Sequence, residues 1–304
     1  MSVDVTALKT LAEEKKLPLE RLINAIENEV AKAYAELPVA KPHGRAVLNR
    51  QTGEILIYVP LLGPDGDRID TITDNPDGFA KLADKTARKV IKEKMREAKD
   101  LEVVTEFSGS VGDVIGGIVQ QGRDAEVIYV SLGRVEGKIP PAEQVKGEVY
   151  KHGDRIKSFV VDVKQGEKGP EVTLSRTHPA FVKMLFALEV PEIKERVVDI
   201  VGIAREPGAR TKLSVRTHRA GVSAKGALIG PQGSRAQNVM NELNGEKIDI
   251  IDFSDDPATY VANALAPARV TSVEIVDLES KSAKVIVPDF QLSLAIGKDG
   301  QNAR

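Results

Sequence analysis

The feature that most constrains this 304-residue chain is a short phrase that occurs twice. Residues 228–235 read LIGPQGSR and residues 295–304 read AIGKDGQNAR, so the pattern Ile-Gly-x-x-Gly is repeated. A single Gly-x-x-Gly is weak evidence, because glycines at this spacing occur by chance in many turns. Two copies in the same structural context indicate a repeated unit whose loop serves one purpose.

The first copy lies in a predicted unit that mixes helices and strands. A helix, AFVKMLFALEV, precedes two strands of alternating hydrophobicity, VVDIVGIAR and TKLSVRT. The short helix AKGALIG then leads into the loop, and the helix SRAQNVMNELNG and the strand EKIDIIDF follow it. The predicted order is therefore helix, strand, strand, helix, loop, helix, strand.

The second copy repeats that order. The helix DPATYVANALA precedes the strands ARVTSVEIVD and SAKVIVPD, and FQLSLAIG leads into the loop. The sequence stops before the following helix and strand, so we expect this unit to be incomplete at its C-terminal end. The short connection at residues 255–257 predicts a fixed spacing between the two units.

The residue types in the loop indicate what it could bind. Glycine has no Cβ, so it permits a sharp turn and lets a ligand backbone come within hydrogen-bonding distance. The helix that follows presents free N–H groups and a partial positive charge, which favour phosphate. Ile229 and Ile296 are expected to floor an apolar groove beside each loop. A groove that clamps about four nucleotides in this way is typical of the KH module.

The two loops differ in charge. Lys298 is a direct phosphate partner in the second copy, although the neighbouring Asp299 opposes phosphate. The first copy has uncharged residues at these positions, so its contacts to phosphate are expected to come from backbone N–H groups and from Lys225, Ser234 and Arg235. Two weak sites at a fixed spacing add through effective concentration.

The N-terminal part predicts a helix over residues 17–36, a hairpin around Gly53 and a second helix over residues 76–99. The second helix carries basic residues within one sector, namely Lys81, Lys85, Arg88, Lys89, Lys92, Arg96 and Lys99. Such a face is either a solvated surface or a stripe that faces phosphate. Residues 102–108 are expected to be a linker.

Five short β segments follow, and their Gly-rich turns predict a small five-stranded barrel of the OB type. Such barrels bind single-stranded nucleic acid by stacking bases on aromatic rings. The candidate stacking residues are few: Phe107, Tyr129, His152 and Phe159. The barrel is therefore either an RNA-binding module or a spacer.

The composition excludes several classes of protein. Cysteine is absent, so disulfides and thiolate metal sites are excluded, and the four histidines lack metal-ligand spacing. No run approaches the roughly 20 apolar residues of a membrane span, and no secretory signal is present. The formal net charge is −2, so any nucleic-acid contact must be local. We expect a cytoplasmic protein that is not an enzyme and needs no cofactor or metal.

The order of units resembles the NusA family of bacterial transcription factors. The resemblance is most specific in LSRTHPAFVKMLFALEVPEI (174–193), NGEKIDIID (244–252) and VPDFQLSLAIGKDGQNAR (287–304). It implies a multidomain α+β fold. The expected divisions are an N-terminal α/β polymerase-binding domain over residues 1–105, an OB-type RNA-binding barrel over 106–178, and two bacterial-type KH domains over 179–256 and 257–304.

The resemblance also implies a function. NusA-like proteins bind RNA polymerase through the N-terminal domain, near the RNA exit channel and the flap of the β subunit. They promote pausing and intrinsic termination, and they join other factors in antitermination complexes. In this chain the barrel and both KH units would contact nascent single-stranded RNA, and the basic helix would face it. We expect a monomer.

The resemblance assigns RNA contact to particular loop positions. In the first copy they are Gly230, Pro231, Gln232, Gly233, Ser234 and Arg235, and in the second they are Gly297, Lys298, Asp299, Gly300, Gln301, Asn302 and Arg304.

Two other classes use the same modules. One is an RNA-degrading enzyme, against which the absence of a recognisable catalytic constellation counts. The other is an accessory protein of the ribosome or of RNA decay. Binding of the N-terminal unit to polymerase or to ribosomal subunits would distinguish the classes.

Overall fold

The computed structural model describes residues 3–15, 17–62, 64–65, 67–167 and 169–303. The chain divides into two compact units. The first unit is Met1–Glu106 with Gln165–Pro170, and the second is Phe107–Lys164 with Glu171–Arg304.

The first unit places helices against a small antiparallel sheet. Its elements are α1 (Val5–Glu14), α2 (Leu19–Ala35), β1 (Arg45–Leu48), β2 (Ile55–Leu62), β3 (Arg68–Thr73) and α3 (Phe79–Ser108), and the strand order is β1-β2-β3. The predicted apolar stripe of α2 is buried, including Ile26, Val30 and Tyr34. Helix α1 was not predicted from the sequence; Asp4 caps it by accepting a hydrogen bond from the Ala7 N–H at 2.9 Å.

Helix α3 corrects two expectations. It begins at Phe79 and continues to Ser108, so residues 102–108 are helical and the predicted linker is wrong. Residues 99–108 contain neither glycine nor proline, so nothing in the local sequence ends the helix. The core-facing stripe is Phe79, Ala83, Ala87 and Val90.

The predicted five-stranded barrel is confirmed. Its strands are β4 (Val114–Gln120), β5 (Ile128–Ser131), β6 (Glu136–Ile139), β7 (Arg155–Gly166) and β8 (Gly169–Ser175), closed in the order β4-β5-β6-β8-β7. The β6–β8 pair is parallel, and β4 pairs antiparallel with β5 and β7. Val130, Ile139, Val160, Val172 and Leu174 fill the interior.

Phe159 was predicted to stack on bases, but its side chain is buried. It packs in the hydrophobic core of the first repeat unit, and its ring is stacked on His178 with 4.5 Å between centroids. The Nδ1 of His178 accepts a hydrogen bond from the Ala180 N–H at 3.1 Å and so caps the next helix.

The first repeat unit, residues 179–252, has the predicted order of elements, with one additional short helix before the strands. They are α4 (Pro179–Glu189), α5 (Pro191–Lys194), β9 (Val198–Glu206), β10 (Arg210–Thr217), α6 (Ala224–Ile229), α7 (Ser234–Glu242) and β11 (Lys247–Asp252). Strand β10 lies centrally, antiparallel to β9 and parallel to β11. Helices α4, α6 and α7 bury Phe181, Leu228 and Val239 in one core over this sheet.

The second repeat unit, residues 257–303, follows directly. Its elements are α8 (Pro257–Ala264), the antiparallel pair β12 (Ser272–Asp277) and β13 (Ser282–Ile286), and α9 (Leu292–Ile296). Asp256 caps α8 by accepting a hydrogen bond from the Thr259 N–H at 2.9 Å.

Arg176 joins the barrel to the first repeat unit. Its guanidinium donates two 2.6 Å hydrogen bonds to the Glu148 carboxylate, one of 2.7 Å to the Lys157 carbonyl and one of 2.9 Å to the Glu242 carbonyl at the end of α7. Burial tends to raise the pKa of Glu148, but the Arg176 guanidinium outweighs it, and the pKa is lowered. Both side chains are almost fully buried.

Candidate nucleic-acid interface

The first loop (residues 230–233) and the second loop (residues 297–300) have nearly the same backbone. Their leading glycines, Gly230 and Gly297, have φ/ψ of 75°/175° and 76°/170°. Gln232 and Asp299, two residues later, are at 54°/24° and 54°/25°. This left-handed region is costly for a residue with a Cβ. Because Gln232 and Asp299 differ chemically, the shared shape follows from the glycine spacing and not from these side chains.

The two glycines of each loop have different surroundings. A Cβ on Gly230 would lie 2.6 Å from Arg235 Cγ, and one on Gly297 would lie 2.8 Å from the Asn302 backbone nitrogen. A Cβ on Gly233 or Gly300 would meet nothing within 4 Å, although both residues have positive φ. The leading glycine therefore makes room for the loop's own packing. The second glycine faces open space, where a ligand backbone can approach.

The first loop ends at the N-terminus of a well-formed helix. Helix α7 has nine residues, its N-cap is Gly233, and neither a side-chain cap nor an acidic first-turn residue is present at this end. The Gly233 N–H donates to the Gly230 carbonyl at 3.1 Å, and the Gly300 N–H donates to the Gly297 carbonyl at 3.2 Å. Each turn is thus closed internally, while the first-turn N–H groups and the positive end of α7 remain suited to phosphate.

Most of the predicted loop residues are accessible. The exposed ones are Ile229, Pro231, Gln232, Ser234, Ile296, Lys298 and Asp299, and the half-buried ones are Lys225, Gly230, Gly233, Gly297 and Gly300. Ile229 and Ile296 have 38% and 46% of their surface exposed, so each is an apolar side chain available beside its loop. The structure therefore brings the predicted apolar, glycine and polar positions together at each loop.

Arg235 is a correction to the predicted set. Its Nη1 donates hydrogen bonds to the Ala227 carbonyl at 2.7 Å and to Glu192 Oε2 at 3.0 Å. The pKa of Glu192 is lowered by a hydrogen bond from the backbone N–H of Glu192 and by the Arg235 guanidinium, against the effect of burial. The charge of Arg235 is therefore already paired, and the residue supports the first loop from behind.

Asn302 is a second correction to the predicted RNA-binding set, because its side chain is also bonded within the protein. Its side chain is buried, and its Nδ2 donates hydrogen bonds to the carbonyls of Leu265 and Ala295 at 3.0 and 3.2 Å. Gln301, also in the predicted set, is half-buried and donates from Nε2 to Glu206 Oε2 at 3.1 Å. The prediction for Arg304 lies outside the described residues.

The two repeat units are in direct contact. The Tyr260 hydroxyl of α8 donates to Ser214 Oγ on β10 at 2.8 Å, and Asn263 Nδ2 donates to the Asp252 carbonyl at 3.0 Å. Tyr260 also packs against Phe253, with ring centroids 5.0 Å apart. A cavity of about 750 Å³ opens between β10 and the base of the second loop, and Ile296 lines its edge. These contacts support the fixed spacing that the short connection predicts.

Lys212 was not predicted from the sequence as a residue of this interface. Its ammonium group, on β10, donates to Asn302 Oδ1 at 2.7 Å and also to the Ala264 carbonyl. Burial lowers the pKa of Lys212. A lysine in a strand of alternating hydrophobicity is predicted from sequence to face solvent. Its hydrogen bonds to the second unit appear only when the two units are packed together.

The basic face of α3 is present. All seven predicted residues are exposed, namely Lys81, Lys85, Arg88, Lys89, Lys92, Arg96 and Lys99. Arg88 is paired with Asp84 at 3.1 Å. Lys89, Lys92, Arg96 and Lys99 line one shallow groove with Glu93, so the positive charge concentrates in the middle of the helix. Exposure is compatible with both the solvated and the phosphate-facing interpretation.

The barrel offers one groove of about 520 Å³ beside the first repeat unit. Gly116, Gly117, Ile118 and Arg155 line it, together with Lys157. Of the predicted stacking residues, Phe107 packs against the barrel core and Tyr129 is half-buried, which leaves His152 exposed. RNA binding by stacking on the barrel therefore has little support, and the spacer interpretation stays open.

Two other properties concern the described residues alone. They include no group of three or more His, Cys, Asp and Glu side chains that could hold a metal ion. None of the helices found among them has the length and apolar character that a membrane crossing requires.

Comparison with known proteins decides the family. Residues 176–253 match the NusA-like first KH domain, and residues 257–304 match the NusA-like second KH domain. A transcription termination/antitermination protein NusA from Mycobacterium tuberculosis (strain ATCC 25618 / H37Rv) is 44% identical over 311 residues, covering 100% of this chain and 90% of that protein. The chain belongs to the NusA family. The NusA protein of Bacillus subtilis (strain 168) is 42% identical, with 98% of this chain and 86% of that protein covered.

The assignment to the NusA family settles the fold class that the sequence predicted. A closed five-stranded barrel and two NusA-like KH domains follow an N-terminal helix-and-sheet unit. The solution structure of the N-terminal domain of NusA from B. subtilis covers 31% of this chain and 94% of that chain at 26% identity, but its TM-score of 0.27 is too low to support a structural argument. The repeat units are thus KH domains, the module that clamps single-stranded RNA. The NusA relatives are named as transcription factors, which disfavours the ribosomal and RNA-decay alternative.

Proposed function

We propose that this protein is a transcription termination/antitermination factor that associates with RNA polymerase and binds nascent single-stranded RNA along its two KH loops. One observation carries the RNA-binding part. The two loops have the same backbone shape, and each presents a glycine, Gly233 or Gly300, to open space. The contacts between the KH domains support a fixed spacing of the two loops, and one RNA strand that occupied both would turn two weak sites into one stronger site.

Substitution of the open glycines tests the RNA-binding proposal. Gly233→Asp and Gly300→Asp each place a negative side chain where the sugar–phosphate strand would lie. Each single variant is expected to weaken binding of a labelled single-stranded RNA about tenfold, and the double variant by about a hundredfold or more. Fluorescence anisotropy with the full chain measures both effects.

Gly245→Asp is a matched control. Gly245 also has a positive φ, of 91°, and a Cβ there meets nothing within 4 Å, but it lies at the opposite end of α7 from the loop. The control introduces the same charge and similar backbone strain, so its affinity for RNA should stay within about twofold of the parent. Equal affinity of the parent, the loop variants and the control would reject the clamp.

The polymerase-binding part of the proposal rests on family membership and concerns the first compact unit. The partner region is the flap of the β subunit near the RNA exit channel, and the basic face of α3 faces emerging RNA. Other antitermination factors join the complex, and the protein acts as a monomer in the cytoplasm. The proposed domain divisions are residues 1–105, 106–178, 179–256 and 257–304.

Capture on immobilised core RNA polymerase tests this part. The polymerase should retain the full chain and should not retain a chain that lacks residues 1–105. Polymerase from which the β flap has been deleted should retain neither of these two chains. Retention on ribosomal subunits instead of polymerase would favour the ribosomal accessory class.

A further inference from the structure

The support of the second loop extends into the other KH domain. Asn302 lies two residues beyond Gly300, and its Oδ1 accepts a 2.7 Å hydrogen bond from Nζ of Lys212 on β10. The same ammonium donates to the Ala264 carbonyl at the end of α8. Lys212 therefore ties the central strand of the first KH domain to two segments of the second.

Asn302 connects Lys212 to the second loop through its own hydrogen bonds. Its Nδ2 donates to the carbonyls of Leu294 and Ala295 at 3.3 and 3.2 Å, and its backbone N–H donates to the Ile296 carbonyl at 3.1 Å. These three carbonyls immediately precede Gly297. The position of Asn302 thus fixes how α9 enters the loop, and Lys212 holds the remaining polar atom of that side chain.

The first loop is supported differently. Arg235 occupies the position equivalent to Asn302, and its Nη1 donates to the Ala227 carbonyl, three residues before Gly230. Leu294 stands at the same distance before Gly297. The outer partner of Arg235 is Glu192 on α5, which belongs to the same KH domain. Each loop has one side chain that bonds back to the preceding helix, but only the second anchors that side chain in its neighbour.

Lys212 is poorly placed to bind RNA directly. It is half-buried, its ammonium group already has two oxygen acceptors, and burial lowers its pKa. Two of its three N–H donors are directed to protein oxygens, which leaves one for a phosphate. We therefore expect its effect on RNA binding to pass mainly through Asn302.

We propose that Lys212 is a positioning residue for the second KH loop, so that RNA binding by that loop depends on a side chain of the first KH domain. This inference rests on the proposed RNA-binding function. The dependence runs in one direction, because the support of the first loop lies within its own domain.

The test separates the two loops by disabling one at a time in the full chain. In the Gly233→Asp background, binding of a labelled RNA of about ten nucleotides reports the second loop, and in the Gly300→Asp background it reports the first. Lys212→Met should weaken binding roughly tenfold in the former background and less than about twofold in the latter. Lys183→Met is the matched control, since Lys183 is an exposed lysine on α4, and it should have little effect in either background.

Two further variants test the route through Asn302. Lys212→Arg keeps a donor for Asn302 Oδ1 and should restore most of the binding that Lys212→Met loses. Adding Asn302→Ala to Lys212→Met should cost little beyond the worse of the two single changes, because both break the same link. Additive losses would mean that Lys212 acts by its charge alone, and the proposal would be wrong.

Hydrogen exchange on the RNA-free protein gives a readout that is independent of RNA binding. Lys212→Met should speed exchange of the amides of residues 297–303 roughly tenfold and leave those of residues 230–236 unchanged. Equal acceleration at both loops, or none at either, would overturn the proposal. Absence of RNA binding by the parent protein would reject the proposed function, while the exchange comparison would still decide the role of Lys212.

Discussion

The first and second loops reach the same backbone conformation with different supports. The first is held by Arg235 and Glu192, a charged pair whose side chains are about a quarter to a third exposed. The second is held by Asn302, a neutral and buried side chain that bonds to Lys212. The comparison teaches that loop shape and loop support are separate properties. The glycine pattern sets the shape, whereas the support depends on what lies behind each loop.

The largest expected difference concerns stability. Asn302→Ala removes one acceptor of the Lys212 ammonium and the donor to the carbonyls of Leu265, Leu294 and Ala295, so it should lower the free energy of unfolding by about 3 kcal/mol. Arg235→Ala removes a partly exposed ion pair and one hydrogen bond, so it should cost about 1 kcal/mol. Urea denaturation of the two variants measures the difference. Equal losses would show that the supports are energetically alike.

The next difference concerns charge at the RNA. Lys298 is exposed in the second loop, and Pro231 is its counterpart in the first. Lys298→Gln should make the log–log salt dependence of RNA binding shallower by about 0.7, and Pro231→Lys should make it steeper by a similar amount. Affinity measured across a salt series checks both changes. A slope that neither substitution alters would indicate that this position does not face phosphate.

The smallest expected effect is a selective response to acid. The pKa of Glu192 is lowered in the folded protein, so its contribution is present above the unfolded value of about 4.3 and is lost as pH falls through the folded value. Lys212 stays protonated and Asn302 does not titrate in this range. Amides of residues 230–236 should therefore gain exchange, relative to residues 297–303, below about pH 4.

Glu192→Gln provides the control for that experiment, because it removes the titrating group without changing the size of the side chain. The variant should show no selective change between the two loops on acidification. A parallel response of both loops in the parent protein would assign the acid sensitivity to some other group.

The sequence predicted most of what is local. Strand and helix periodicity located the barrel strands and the elements of both KH domains, and the repeated glycines located the loops. The end of α3 was mispredicted: the short β segments that follow suggested a linker at residues 102–108, although no residue there interrupts a helix. Local patterns report hydrogen bonds between near neighbours, which is why they succeed for such elements.

The supports of the loops could not be predicted in the same way. Arg235 lies 43 residues from Glu192, and Lys212 lies 90 residues from Asn302. A single sequence does not relate positions so far apart. The resemblance to the NusA family assigned Arg235 and Asn302 to RNA as loop positions, whereas in the structure their polar side-chain atoms are bonded within the protein. The assignment of the other loop residues to RNA stays a prediction.

The buried Arg176 has a consequence for how the molecule comes apart. Its guanidinium is bonded to Glu148 and Lys157 within the barrel and to the Glu242 carbonyl of the first KH domain, so separating the two would break a charge-assisted hydrogen bond of a buried cation. Partial opening at this junction is therefore disfavoured. The barrel and the domain beside it should melt together in one cooperative transition.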